Sequence, residues 1–160
     1  MQNVFFPNET VAEDDLYFMC ALVERIARKQ HIRNRDVVNH LGYRVLCEKL
    51  SLAQVLHCEN PLKVTADFIE DYNIPSGSFD ITDIDRNLTP DIPTPLQMGA
   101  VYKRLILMTL EEDEDYAQGM LRVYNDWICE KIDDYSCSAY YEPSYCLVKA
   151  YYAGTFDFYM

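Results

Sequence analysis

The residue types that most often carry chemistry are sparse in this chain of 160 residues, and their spacing matches no catalytic or metal site. The three histidines are His31, His40 and His57, and only His57 has a cysteine beside it, Cys58. A cysteine nucleophile needs a base that is held in place by a third group, which two neighbouring residues do not provide. Nor do three histidines without a paired carboxylate motif match a zinc site. We therefore predict a non-enzymatic protein that uses no metal and no cofactor.

An acidic run in the middle of the chain comes nearest to a metal-binding motif. Asp83, Asp85 and Asn87 would place oxygen atoms at positions 1, 3 and 5 of a calcium-binding loop. The loop requires glycine at position 6 and glutamate at position 12, and this chain has Leu88 and Thr94 there. The run therefore indicates a solvated acidic loop.

The overall charge limits the partners that the protein can have. The formal net charge is −12, and residues 76–160 hold 15 acidic residues against 6 Lys and Arg. Such a surface repels phosphate backbones and anionic membranes. It favours a basic protein partner, or it serves only to keep the protein soluble.

One basic cluster lies in the first half and suggests an alternative function. It is followed by a short predicted helix, Gly42 and another helix, so residues 25–57 have the outline of a helix-turn-helix. Acidic Asp36 and Glu48 in the same region favour a basic face that is solvated or paired with the acidic half. A DNA-binding regulator is the alternative, with these residues as its nucleic-acid contacts: Arg28, Lys29, Arg33 and Arg35.

Tyrosine is concentrated in the second half, where ten of the thirteen tyrosines follow residue 100. Exposed tyrosines rimmed by acids suit contact with a basic protein. In the alternative, the rings pack back onto the helices with their hydroxyls satisfied. The candidate partner surface consists of Asp133, Asp134, Tyr135, Tyr140, Tyr141, Glu142 and Tyr145.

Helix-start and helix-stop signals along the sequence predict an all-α fold. In the N-terminal half, residues 1–75, a capping box at Thr10 predicts a helix from about residue 11. Asn34 is expected to cap a short helix that Gly42 ends. A third helix is predicted over about 43–57, and Asn60 with Pro61 predicts the start of a fourth.

Residues 76–93 read as a long irregular connection with a short extended piece over 79–84, because proline, glycine and aspartate recur there. In the C-terminal half, residues 94–160, Thr94 and Pro95 open a helix and another is predicted over 117–132. A last helix follows Pro143. The prediction is a bundle of six to eight short helices, in two packed halves joined by the loop.

The six cysteines indicate the compartment. None forms a C-x-x-C pair, and the first seven residues lack the basic and apolar segments of a signal peptide. No apolar run approaches the ~18 residues of a membrane span. We expect buried free thiols in a cytoplasmic protein that has no membrane partner.

A resemblance accompanies these patterns in the first half. The resemblance is carried by residues 22–32, Asp36-Val37-Val38, Leu41-Gly42, Val55-Leu56-His57 and Asp67-Phe68-Ile69. Over about residues 15–72 the chain resembles a family of short helical proteins of unknown function from Firmicutes. Members of that family are often encoded beside ADP-ribosyltransferase-like, toxin-like proteins. The resemblance implies an accessory or a neutraliser of such a neighbour.

Overall fold

The computed structural model describes residues 1–157, and over that range the chain forms eight α-helices, one 3-10 turn and no β-strand. This confirms the predicted all-α class and the irregular connection between the fourth and fifth helices. Residues 158–160, which include Tyr159, lie outside the described range. The elements in chain order are α1 (Glu13–Gln30), α2 (Asn34–Ser51), α3 (Ala53–Leu56), α4 (Pro61–Asp71), α5 (Pro95–Thr109), α6 (Tyr116–Tyr124), α7 (Trp127–Ile132), the 3-10 turn (Ser138–Tyr141) and α8 (Ser144–Ala153).

Side-chain caps start α4 and α5 where the sequence predicts them. The Asn60 side chain accepts a hydrogen bond from the Leu62 backbone N–H. The Thr94 hydroxyl accepts from the Gln97 N–H at 3.1 Å, and the Gln97 side chain accepts from the Thr94 N–H at 2.7 Å. This reciprocal pair satisfies two N–H groups that the first turn of a helix leaves free.

Two N-terminal predictions are wrong in detail. The first helix begins at Glu13, and the Asp15 carboxylate accepts from the Ala12 N–H at 2.7 Å. Thr10 instead pairs with Gln2 in an isolated β-bridge. Asn34 does not cap α2, because its side chain turns into the protein interior and bonds there.

The break at Gly42 has a backbone cause. Gly42 has φ 76° and ψ 170°, in the region that side chains disfavour, so it interrupts α2 between two helical arms. The second arm ends at Ser51, and α3 covers only part of the rest of the predicted helix over 43–57.

Two other predicted segments differ from the structure. The helix expected over 117–132 is broken after Tyr124, since the Asp126 carboxylate accepts from the Ile128 N–H and caps α7. The piece over 79–84, expected to be extended, forms turns. It is tethered by a bond from the Phe79 N–H to the His31 carbonyl at 2.9 Å.

A single cluster of buried apolar side chains contains residues from both halves of the chain, from Val11 to Ala150. Helix α1 lies at its centre and packs most extensively against α5 and α2. Gly99 permits this approach, because a Cβ atom there would lie 2.8 Å from the Ala21 backbone nitrogen. The contact between α1 and α5 therefore joins the two halves.

The six cysteines are free thiols, as predicted, and four of them are buried: Cys20, Cys47, Cys129 and Cys146. In residues 1–157, every helix is too short or too polar to cross a membrane.

Candidate functional site

The structure divides the predicted partner surface into a buried and an exposed set. The Tyr135 ring is 1% exposed, and Asp133 and Tyr140 are also buried. These three residues are therefore not the exposed contact residues that the sequence predicted. The remaining four members are Asp134, Tyr141, Glu142 and Tyr145, of which only Glu142 is partly covered.

The buried set is held by residues from the other half of the chain. The Tyr135 hydroxyl donates to Glu24 Oε1, and Arg28 Nη2 donates to the Tyr135 oxygen at 2.9 Å. The Tyr140 ring packs edge-on against the Tyr135 ring, with centroids 5.6 Å apart. Glu24 and Arg28 are more than 100 residues away in sequence and explain why Tyr135 faces inward, and Tyr140 then packs against Tyr135.

The exposed set is larger than the sequence suggested. Tyr141 is 70% exposed, Tyr145 68% and Tyr152 68%. Tyr145 and Tyr152 are seven residues apart in α8, which places them on one helical face. The inward positions Cys146, Leu147 and Ala150 leave that face outward, so this spacing was the signal that could have identified Tyr152. We call Tyr141, Tyr145 and Tyr152 the tyrosine ridge.

A groove of about 660 Å³ lies beside Tyr141. Helix α5 forms one wall, with Gln97, Val101 and Arg104, and Tyr141 and Leu147 lie on the other. Two carboxylates, Asp91 and Glu142, complete the lining together with the backbone around Pro93 and Pro143. The groove thus combines aromatic and apolar surface with acidic groups.

Beneath the groove lies a buried polar cluster, which we call the carboxylate cluster. Glu24 is 1% exposed, and Arg28 Nη2 donates to its Oε1 at 3.0 Å. The Asn34 Nδ2 donates to Glu24 Oε2 at 2.6 Å and to Asp133 Oδ1 at 3.1 Å. Two carboxyl groups therefore share one amide nitrogen. The members are Glu24, Arg28, Asn34, Tyr102, Cys129, Asp133 and Tyr135.

Within the carboxylate cluster, Asp133 is the carboxyl group whose pKa its surroundings raise. Burial, and then the negative charge of Glu24, raise its pKa from 3.8 to about 7. Hydrogen bonds from Tyr102 at 2.6 Å, from the Cys129 thiol at 3.2 Å and from Asn34 act in the opposite direction. Burial and the charge of Glu24 therefore favour the protonated form of Asp133 up to a higher pH than for an exposed aspartate.

A cleft of about 430 Å³ reaches Asp133 from the outside, and a raised carboxyl pKa in a cleft is a sign of acid–base chemistry. Here, however, both Asp133 oxygens are occupied by Tyr102, Asn34 and Cys129. Burial and Asp133 raise the pKa of Cys129, so its thiol stays neutral and is a poor nucleophile. In residues 1–157, His, Cys, Asp and Glu form no group of three that could hold a metal ion. The geometry therefore favours a structural role for these residues.

The predicted nucleic-acid contacts are largely occupied by the chain itself. Arg28 joins the carboxylate cluster, and the Arg33 guanidinium lies 4.2 Å from the centre of the Phe79 ring. Arg35 donates to the Tyr124 and Asp126 carbonyl oxygens and pairs with Glu130 at 3.2 Å. Lys29 is exposed. The expected pairing of a basic residue with an acidic residue of the second half thus occurs at Arg35, whereas Arg28 pairs with Glu24 of its own helix. Both pairings weaken the DNA-binding hypothesis.

Comparisons with protein families, with curated proteins and with solved structures gave no match.

Proposed function

We propose that this protein is a non-enzymatic binding module whose groove between α5 and α8 receives a basic segment of a partner protein. The observation that carries the proposal is Tyr141. Its ring lies at the groove edge, is 70% exposed and packs at a tilt of 34° against Tyr140, with centroids 4.1 Å apart. A rigid aromatic ring that is supported from below and open above is a typical anchor of protein interfaces.

The charges around the groove favour a partner rich in lysine or arginine. Asp91 and Glu142 line the groove, with Arg104 as its one cation. The net charge of −12 would also draw a basic partner toward the protein. Cations bind tyrosine faces, and this chain already makes such a contact within itself, where the Arg122 guanidinium lies 5.5 Å from the centre of the Tyr151 ring.

The biological role that we propose for this binding is that of a cytoplasmic accessory or neutraliser of a toxin-like enzyme. It rests on the resemblance of residues 15–72 to proteins encoded beside such enzymes. The groove itself is built from the second half of the chain. A toxin-like gene next to this one would supply the candidate partner directly.

Site-specific photo-crosslinking in the native host tests the proposal. A photoreactive phenylalanine at position 141 should capture a discrete partner, and the same residue at position 62 should not. Leu62 is a matched control, because it is 74% exposed but belongs to α4. The captured partner should be crosslinked through a segment rich in Lys and Arg. Replacing Glu142 by Lys should reduce the yield, since it removes one of the two carboxylates.

Three results would count against the proposal. They are equal capture at positions 141 and 62, capture of a second copy of this chain, and a crosslinked segment that lacks basic residues. The mass of the crosslinked product separates a homodimer from a foreign partner, and peptide sequencing identifies the segment.

A further inference from the structure

Two segments that form the proposed groove are tied to the carboxylate cluster. Arg28 Nη2 donates to the Pro93 carbonyl at 2.6 Å, and Pro93 lines the groove just before α5. On the other side, Glu24 accepts a hydrogen bond from Tyr135, whose ring packs edge-on against Tyr140. The Tyr140 ring in turn packs at a tilt against Tyr141. One buried ion pair, Glu24 with Arg28, therefore anchors both segments.

The cluster holds more negative than positive charge when it is fully ionised. Glu24 and Asp133 are buried carboxyl groups, and within residues 1–157 the cation that bonds to this pair is Arg28, which bonds to Glu24. A second buried negative charge without a cation of its own is costly, because the interior does not solvate it as water does. One proton on Asp133 makes the cluster neutral.

The hydrogen-bond partners of Asp133 are Asn34, Tyr102 and Cys129, and none of these three is a cation. Arg35 of α2 is engaged by the Tyr124 and Asp126 carbonyl oxygens and by Glu130. Arg33 and Lys131 line the outer cleft with Asp80, Asp83, Glu130 and Asp134. The remaining titratable neighbours are neutral hydroxyls and thiols whose pKa values burial raises: Tyr102 of α5, Tyr124 of α6, Cys129 of α7, Tyr135 of the following turn and Cys20 of α1.

We propose that Asp133 is a proton-dependent latch, which holds the 133–142 segment and Pro93 in the groove-forming arrangement when it is protonated and loosens them when it is ionised. This inference rests on the proposed function in one respect, which is that the groove is a binding site. The latch would then favour binding at lower pH. Loss of the proton puts two like charges on the same Asn34 amide. The resulting repulsion is relieved most directly by movement of the chain that follows Asp133.

An NMR titration of the isolated protein tests the latch without any partner. The side-chain carboxyl carbon of Asp133 should titrate with a midpoint near pH 7, as its pKa of about 7 requires. The backbone amides of residues 136–142, with Ile92 and Thr94, should shift with the same midpoint. Helix α4 provides the internal control, because the carboxylate cluster includes none of its residues, and its amides should not follow this midpoint.

Two variants complete the test. Asp133→Asn keeps the shape of the protonated acid and should abolish the shared titration. Tyr102→Phe removes a donor that lowers the Asp133 pKa, so the midpoint should move to higher pH. If Asp133→Asn does not fold, the direction in which Tyr102→Phe moves the midpoint of the Asp133 titration still tests the latch.

The proposal is overturned if Asp133 titrates near pH 4 like an ordinary carboxyl, if the groove amides do not follow it, or if Tyr102→Phe leaves the midpoint unchanged. Because no partner is present, these outcomes are independent of the crosslinking result. A working latch with no captured partner removes the proposed function alone, and a captured partner with no latch removes this inference alone.

Discussion

The inner and outer parts of the segment 133–145 use the same residue types for opposite purposes. Asp133, Tyr135 and Tyr140 face inward and bind or pack against the rest of the protein, whereas Asp134, Tyr141 and Tyr145 face solvent. The difference comes from the residues that each side chain contacts. Glu24, Arg28 and Asn34 bind Asp133 and Tyr135, and Tyr140 packs on Tyr135. Tyr141 borders an open groove. Residue type alone therefore does not distinguish a stabilising tyrosine from a candidate binding tyrosine.

The largest expected difference is between two tyrosines six residues apart. Tyr135→Ala should lower the free energy of unfolding by about 3–5 kcal/mol, as is usual for loss of a buried aromatic side chain. Tyr141→Ala should change it by less than about 0.5 kcal/mol, because the ring is mostly exposed. Urea unfolding of both variants measures the difference. Equal losses would mean that the segment has no separate inner and outer parts.

The next comparison concerns two arginines that each pair with a glutamate four residues away. Arg28→Met should destabilise the protein by about 3 kcal/mol, because it leaves the buried Glu24 carboxylate without its cation. Arg44→Met should have no measurable effect, since the Arg44 side chain is 91% exposed and its pair with Glu48 is solvated. Thermal unfolding of the two variants suffices for the comparison. A stable Arg28→Met protein would contradict the anchoring role of the Glu24–Arg28 pair.

The dependence of the free energy of unfolding on pH should report the ionisation of Asp133, one of the inward-facing residues. Because the pKa of Asp133 rises on folding from 3.8 to about 7, the folded state holds a proton that the unfolded chain has released between those values. Its contribution to stability is fully present below about pH 4 and is lost as the pH rises through 7, at about 1.4 kcal/mol per unit of pKa difference.

This contribution is measured as the difference between wild type and Asp133→Asn at each pH, which cancels the other titrating groups. The loss with rising pH should be present in wild type and absent from the variant. Parallel curves for the two proteins would show that Asp133 has an ordinary pKa.

The smallest expected effect on stability is at the outer face of α8. Tyr145→Ser and Tyr152→Ser should each leave the free energy of unfolding within about 0.5 kcal/mol of wild type. Each should nevertheless lower the crosslinking yield from position 141 if the tyrosine ridge contacts the partner as a unit. An unchanged yield would confine the contact to Tyr141 and the groove.

Local sequence rules predicted the starts of α4 and α5. Asn60 with Pro61 and Thr94 with Pro95 act within one or two turns of the chain, so their effect can be read from neighbouring residues. The predicted cap at Asn34 failed because this residue has more distant partners. Asn34 has the chemistry of a cap, but its amide is used by Glu24 and Asp133 instead.

The candidate site was predicted only in part for the same reason. The acid and tyrosine content of residues 133–145 located the region, and the outward spacing of Tyr145 and Tyr152 was present in the sequence. The groove was not, because its walls come from α5 and α8, which are brought together by the fold.

The sequence by itself determined the all-α class, the break at Gly42, the long acidic connection and the absence of a recognisable catalytic motif. These follow from short-range periodicity, capping and backbone preference. The tertiary structure alone decided which tyrosines face inward, where Arg28 and Arg35 find their partners, and that Asp133 meets Glu24. Those outcomes depend on α1 and α2 packing against the second half of the chain, where burial and a neighbouring charge give a carboxyl group a pKa that its sequence neighbours do not predict.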